Sequence, residues 1–310
     1  MLNAWVSQSA GERVANLQLY VSANGHEQAY TLIAEALRHA KLEVISADKV
    51  LDGWICGIEG QGVSAKFLSK QFRGLSDQTG VDIAFVDANP MPNLDARGIL
   101  FMDMDSTLIQ CECIDETADF LGIKKDIAAI TQQAMEGKLD FAESLVARVK
   151  LLAGLDEDVL KQVYDDRIRL TTGAEDLIKT VHQAGWKVGL VSGGFTYFTD
   201  LLQARLNLDF VAANTLEIVN GKLTGRVLGD IVDAQVKKEL LIQKSKDWGI
   251  DLAASVALGD GANDLPMLET AGLGIAFHAK PKVRQLAPYA LSYGGLNQAL
   301  TLLTPWKSEV

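Results

Sequence analysis

The sequence predicts an α/β protein: a Rossmann-like core on a parallel sheet, carrying an inserted helical cap and preceded by a small ferredoxin-like α+β domain. Three observations predict this. From residue 98 onward, apolar strands alternate with amphipathic helices, the rhythm of a parallel sheet covered by helices. A helix-rich stretch at about 112–170 interrupts that rhythm directly after its first strand. Residues 1–86 follow another order, strand, helix, strand, strand, helix, strand, which is a split βαβ module. A chain of 310 residues is long for one domain and comfortable for two, at roughly 150 residues each.

In the first module, NLQLYV (16–21) reads as a strand. HEQAYTLIAEALRHA (26–40) sets Tyr30, Ile33, Ala34 and Leu37 on one helical face. LEVISAD (42–48) alternates like a half-buried strand, with GWICGIEG (53–60) as its hairpin partner. VSAKFLSKQFRGLSDQTG (63–80) predicts one further helix, and VDIAFVD (81–87) the last strand. DANPMPNLDAR (87–97) holds two of the six prolines and breaks the pattern. The expected division is therefore a domain at 1–90, a linker at 91–97 and a larger domain at 98–310.

In the larger domain, GILFMDMDST (98–107) stays apolar until Asp103, as a central parallel strand does. FAESLVARVKLLAGL (141–155) is the clearest helix of the inserted cap. WKVGLVSGG (186–194), DLAASVALGDG (251–261) and GLGIAFH (272–278) predict further strands. Helices are expected between them at 172–185, 195–206, 233–249 and 264–272.

Composition excludes more than it names. Hydrophobic residues at 48% and charged residues at 22% fit a globular chain rather than a disordered one. The net charge of −11 is the wrong sign for generic nucleic-acid binding or for charge-driven adhesion to anionic lipid. No apolar run approaches the roughly 20 residues of a membrane span. MLNAWVSQSAGERVANLQLYV lacks the basic start and apolar core of a secretory signal, so the cytoplasm is the expected location. Cys56, Cys111 and Cys113 are too few and too clustered for a disulfide framework.

The placement of carboxylates carries the chemistry. Ligands of such sheets sit at the carboxyl ends of the strands, where Asp103, Asp105, Ser192, Asp260 and Asp264 all fall. Any one of these acids could simply cap a helix. Gathered at adjacent strand ends, they repel unless a cation or proton sits among them. Asp103 and Asp105 lie two residues apart, so one can be aimed as a nucleophile while the other leans over it as a proton donor. Mg²⁺ takes hard oxygen ligands at about 2.1 Å and keeps several waters. Asp103, Asp260 and the backbone carbonyl of Asp105 can supply three such oxygens, with Asp264 behind a bound water.

Asp103–Thr107 resembles the DxDxT nucleophile motif of the haloacid dehalogenase superfamily. Ser192 in VSGG, Lys237 and Gly259–Asp264 resemble its second, third and fourth motifs. MDMDSTLIQCECIDETADFLG, MEGKLDFAESLVARVKLL, SGGFTYFTDLL and GDGANDLPMLETAGLGIAFHAKPKV are similar to bacterial phosphoserine phosphatases, over about residues 98–300. The first eighty-odd residues resemble the amino-acid-sensing βαββαβ domains found ahead of some of these enzymes.

The resemblance implies a phosphatase with one Mg²⁺ per active site, hydrolysing phosphoserine at the last step of serine biosynthesis. It implies that Asp103 attacks phosphorus and becomes an aspartyl-phosphate, with Asp105 as general acid and then base. Ser192, the amide of Gly193 and Lys237 would contact the phosphoryl oxygens. In the cap, Glu112 would pair with the substrate ammonium and Arg148 would grip its carboxylate. Phe141 and Met135 would cover its carbon skeleton, and Asn263 would order the fourth-motif loop or touch substrate.

Other readings stay open. The same chemistry serves another small phosphomonoester, such as phosphothreonine, homoserine phosphate or a sugar phosphate. A non-catalytic amino-acid-sensing module is the reading from a different class, disfavoured because every motif acid is present. The N-terminal domain could bind an amino acid, pair subunits as a homodimer, or only pack against a monomer. Ser106 and Thr107 are expected as loop hydrogen-bonders, and the four histidines show no ligand spacing, so His278, although near the active edge, is expected to be a bystander more readily than a supporting residue.

Overall fold

The computed structural model describes residues 16–23, 25–50, 53–59, 63–87, 92–135 and 138–304. Residues 1–15 of the amino-terminal stretch and 88–91 at the start of the linker lie outside the described residues.

The chain begins with β1 (Leu17–Ser22), α1 (Glu27–His39), β2 (Glu43–Val50), β3 (Gly53–Glu59), α2 (Ala65–Gln71), α3 (Arg73–Thr79) and β4 (Ile83–Asp87). The strands form an antiparallel sheet in the order β2-β3-β1-β4. The single helix expected over 63–80 is two short ones. They part at Phe72, whose ψ of 0° departs from helical values, and Gly74 weakens the turn that follows. Phe72 packs edge-on against Phe85, with ring centroids 5.0 Å apart.

Every residue of β1 is buried, so both faces of this sheet are covered. Leu17, Leu19 and Val21 face α1, α2 and α3 in one core. Tyr20, Ala84 and Val86 point the other way and join the core of the larger domain. The seam between the two sheets is also hydrogen-bonded. Arg73 donates to the carbonyls of Arg284, Ala287 (3.1 Å) and Pro288 (3.3 Å). Asp82 accepts the amides of Ser292 (2.7 Å) and Tyr293 (3.0 Å).

The second part runs β5 (Ile99–Met102), α4 (Cys113–Phe120), α5 (Lys124–Met135), α6 (Phe141–Lys150), α7 (Asp158–Asp166), α8 (Ala174–Gln183), β6 (Lys187–Phe195) and α9 (Thr196–Leu206). It continues through β7 (Phe210–Val219), β8 (Lys222–Leu228), α10 (Ala234–Trp248), β9 (Ser255–Gly259), α11 (Leu265–Thr270), β10 (Leu273–Phe277), α12 (Pro281–Leu286), β11 (Tyr289–Leu291) and α13 (Ala299–Leu302). The sheet order is β11-β10-β9-β5-β6-β7-β8, parallel except for β8. The chain order reverses at β5, between β6 and β9. A crevice opens at the carboxyl end of such a switch point. Asp103 is the next residue after β5.

Residues 207–232 carry the β7–β8 hairpin, a pair of strands outside the elements expected from the sequence. Asn220 and Gly221 turn it with φ of +51° and +75°, the positive pair a tight two-residue hairpin turn needs. Helices α4 to α7 form the insertion after β5. Its two ends pair with each other, Gln110 donating to Arg169 (3.0 Å) and Thr171 to Leu108 (2.9 Å). The far side of the insertion rests on β8, through Gly154 to Leu223 (2.8 Å) and Leu223 to Leu155 (2.9 Å). A capping box between Asp140 and Glu143 starts α6 and thereby aims Phe141 and Arg148.

Candidate active site

A cavity of about 630 Å³ opens between the carboxyl edge of the sheet and the inserted helices. Asp103, Asp105, Glu112, Phe141, Arg148, Ser192, Gly193, Asp260 and Asn263 all line it. The side chain of Met135, which ends α5, lies outside the described residues.

Asp103 is anchored first by its backbone, whose amide donates to Leu258 at 2.9 Å. Its Oδ1 accepts the amide of Met104 (2.8 Å) and meets Lys237 Nζ at 2.8 Å. Both contacts use Oδ1, which leaves Oδ2 to act on a ligand. Lys237 has no exposed surface, and its Nζ also bonds Asp264 Oδ1 at 2.7 Å. It does not line the cavity but lies behind Asp103 with one of its three N–H donors still to place. Asp233 sets it there by capping α10, accepting from Gln235 and Val236 at 2.9 Å. Asp264 gives its other oxygen to the amide of Gly261 at 2.9 Å, so both of its oxygens have protein partners.

After Asp103 the chain makes a wide turn, in which Ile109 donates to Met104 O at 3.0 Å and Ser106 adopts φ +55°. This turn presents Asp105, whose Oδ1 accepts the amide of Cys113 at 2.9 Å. Thr107 donates to Asp260 Oδ1 at 3.2 Å, and Ser106 to Glu112 Oε1 at 2.7 Å. Both hydroxyls therefore hold carboxylates rather than attack. The turn is crowded: a Cβ on Gly194 would sit 2.7 Å from Asp105 Oδ2, and one on Gly193 2.6 Å from Phe141 Cζ.

Burial governs the protonation of these groups. It raises Asp103 well above the usual carboxylate range, Asp264 adds to the rise, and Lys237 opposes it. Burial and then Glu112 push Asp105 up to about 7, while the Cys113 amide pulls it down. An acid in that range can give and take a proton near neutrality. Burial and then Asp264 raise Asp260 to about 7. Burial would lower Lys237, but the carboxylates of Asp103 and Asp264 outweigh it and hold the ammonium above its ordinary value. Arg148 is lowered by burial, with Asp115, Glu112 and Asp105 pulling the other way.

Carboxylate oxygens of Asp103, Asp260 and Asp264 lie within 4.8 Å of one another, against the single ammonium of Lys237. Hard oxygen donors in negative surplus fit a divalent cation such as Mg²⁺. The chain's match to the haloacid dehalogenase-like hydrolase family spans residues 100–269, more than half its length. The chain belongs to that family.

The phosphoserine phosphatase of Haemophilus influenzae is 50% identical to this hydrolase over 224 residues, which cover 72% of this chain and 70% of that one. The phosphoserine phosphatase of Vibrio cholerae is 42% identical over 269 residues, 84% of this chain and 81% of that one. The crystal structure of a probable phosphoserine phosphatase from Vibrio cholerae superposes on the hydrolase with a TM-score of 0.79 and 36% identity. It covers 98% of this chain and 90% of that one.

Lys280 and Lys282, at the start of α12, also line the cavity and were missed in the sequence. Their signal was their place just beyond the carboxyl end of a strand, in HAKPKV. Asp115 and Thr131, further lining residues, lay hidden among the many polar residues of the cap. His278 is not in the lining: its ring meets Gly294 O at 2.7 Å and stacks on Phe277. Burial pushes the Cys111 thiol up to about 12, which fits packing and not reactivity.

Proposed function

We propose that this hydrolase is a phosphoserine phosphatase working through an aspartyl-phosphate. The carrying observation is one cavity that sets Asp103, backed by a buried lysine, opposite Glu112 and Arg148. An anion-seeking guanidinium and a cation-seeking carboxylate suit the two charged ends of an amino acid, and Arg148 can hold a carboxylate with two parallel bonds. The two relatives named as phosphoserine phosphatases support the same substrate.

Asp103 Oδ2 attacks phosphorus as the serine oxygen leaves, and Asp105 gives that oxygen its proton. Asp105 then takes a proton from water, whose oxygen attacks phosphorus and displaces the Asp103 carboxylate, so that phosphate leaves and Asp103 is restored. Ser192 and the amide of Gly193 bind the phosphoryl oxygens, where fixed donors in a site shielded from water stabilise most, while Lys237, buried behind Asp103, offsets the repulsion between that carboxylate and the phosphoryl group. Phe141, with Met135, shields the carbon skeleton, and Asn263 orders the Gly259–Asp264 loop beside it. One Mg²⁺ would be held by Asp103, Asp260 and the Asp105 carbonyl, with Asp264 steadying the loop behind them. It would offset negative charge on the phosphoryl group and the acids. The reaction needs one small molecule besides water, and the cytoplasm is its expected location.

Release of phosphate from phosphoserine, with and without Mg²⁺, tests the proposal. Turnover that needs Mg²⁺ and falls at least about 10-fold in kcat/KM for Arg148→Ala is expected. Glycerol phosphate turnover should be low and unaffected by Arg148→Ala. Equal turnover of glycerol phosphate and phosphoserine would overturn the substrate, leaving another small phosphomonoester.

A further inference from the structure

Between β6 and β7 the ladder pairs Val191 with Ala212 and next Phe195 with Asn214. Four residues advance on one strand while two advance on the other, so Ser192, Gly193 and Gly194 bulge out of the ladder toward the cavity. A bulge leaves backbone groups without ladder partners. The side chain of Asn214 supplies one: its Nδ2 donates to Gly193 O at 2.8 Å. Its Oδ1 accepts the amide of Val232 at 2.8 Å, and the residue is 1% exposed. An amide facing a carbonyl on one side and an N–H on the other has only one orientation that satisfies both.

The carbonyl of Gly193 and the N–H of Gly194 are two ends of one planar trans peptide. Holding the first fixes the direction of the second, which donates to Ser192 Oγ at 2.8 Å. A serine hydroxyl that accepts there keeps its own hydrogen to donate elsewhere. Ser192 is itself 1% exposed and lines the cavity, so that hydrogen has the ligand as its natural acceptor. At its other end Asn214 holds Val232, the residue before the Asp233 cap that starts the helix of Lys237.

We propose that Asn214 is a positioning residue for phosphoryl binding. It locks the Gly193–Gly194 peptide so that Ser192 is a donor toward the phosphoryl group. The inference rests on the cavity's taking a phosphoryl group, as proposed above.

A double-mutant cycle with Ser192→Ala tests it. Asn214→Asp keeps the acceptor for Val232 and removes the donor to Gly193; Asn214→Ser is neutral and too short to reach it. The probe is orthovanadate with Mg²⁺, a phosphoryl mimic, measured by calorimetry and as a competitive inhibitor of phosphoserine turnover. Each Asn214 variant should weaken vanadate by about 10- to 100-fold, the effect of one buried polar group left unpaired. In the Ser192→Ala background either change should cost no more than about 2-fold, because its route of action is gone.

Full additivity, or vanadate affinity unchanged in a folded variant, overturns the proposal. Loss of the thermal unfolding transition in both variants assigns Asn214 to stability alone and overturns it too. If the wild type binds vanadate but leaves phosphoserine intact, the substrate reading fails while the cycle still decides the role of Asn214.

Discussion

Behind the cavity, Lys237 lies between Asp103 and Asp264 at 2.8 and 2.7 Å; at the seam between the two sheets, Asp82 and Arg73 are about as deeply buried but meet mostly backbone. Buried charge is costly unless it is paired or hydrogen-bonded, and the two regions meet that cost differently. At the seam, amides and carbonyls of the backbone bind the Asp82 and Arg73 side chains in place, outside the cavity. In the cavity, three carboxylates share one ammonium, and burial raises Asp103, Asp105 and Asp260 together. Charge compensated by the backbone holds domains together. Charge left in surplus has capacity for a cation and a phosphoryl group.

Removing charge on the cavity side should give the largest effect. Asp103→Asn takes away the attacking oxygen and should lower kcat for phosphoserine by about 10⁴-fold or more, with the chain still folded. Retained activity in that variant would end the covalent mechanism. Lys237→Met should do more harm to stability. It leaves Asp103 and Asp264 buried against each other, a loss of about 3–5 kcal/mol read by urea unfolding. A change below about 1 kcal/mol would mean that the cluster is not held by its lysine.

Seam variants should sharpen the contrast from the other side. Burial, outweighing the Ser292 and Tyr293 amides, raises Asp82 to about 6. A carboxyl raised on folding binds more protons in the native state. Its contribution is full below the unfolded value near 4 and is lost as pH rises through about 6, at most about 3 kcal/mol. Asp82→Asn should therefore flatten stability between pH 4 and 6.5 in a denaturation series, and an unchanged slope would show that Asp82 stays ionised. Arg73→Ala should be milder, about 1–3 kcal/mol, from carbonyls of Ala287 and Pro288 left unpaired. Phosphoserine turnover per folded molecule should stay within about 3-fold, since Arg73 is not in the cavity lining.

Much of the site was legible in the chain because the parallel sheet gathers strand ends. Asp103 and Asp260 follow apolar runs directly, and Ser192 lies near the end of a third, so strand-end position alone nominated them. Phe141 and Arg148 were legible through the resemblance of their cap segment to phosphoserine phosphatases, and the capping box that aims them is visible in the structure. The seam was not legible. Tyr20 and Val86 look like the exposed side of an alternating strand, yet they pack into the core of the larger domain. The role of Lys237 was only half legible, since its helix could be predicted but not its full burial between two acids.

The sequence by itself determined most of the elements and which strand ends carry acid, because hydrophobic period and turn residues act locally, while the β7–β8 hairpin and the break at Phe72 came only with the structure. Tertiary structure alone decided how those ends face one another. Asn214 reads in the chain as one polar residue in a segment without an assigned element. It becomes the partner of Gly193 only because β6 bulges beside it, in a register no local signal encodes. The same holds for Arg73 and Asp82, whose partners stand more than two hundred residues away in the chain. Local chemistry selects the parts, and long-range packing sets the distances at which they act.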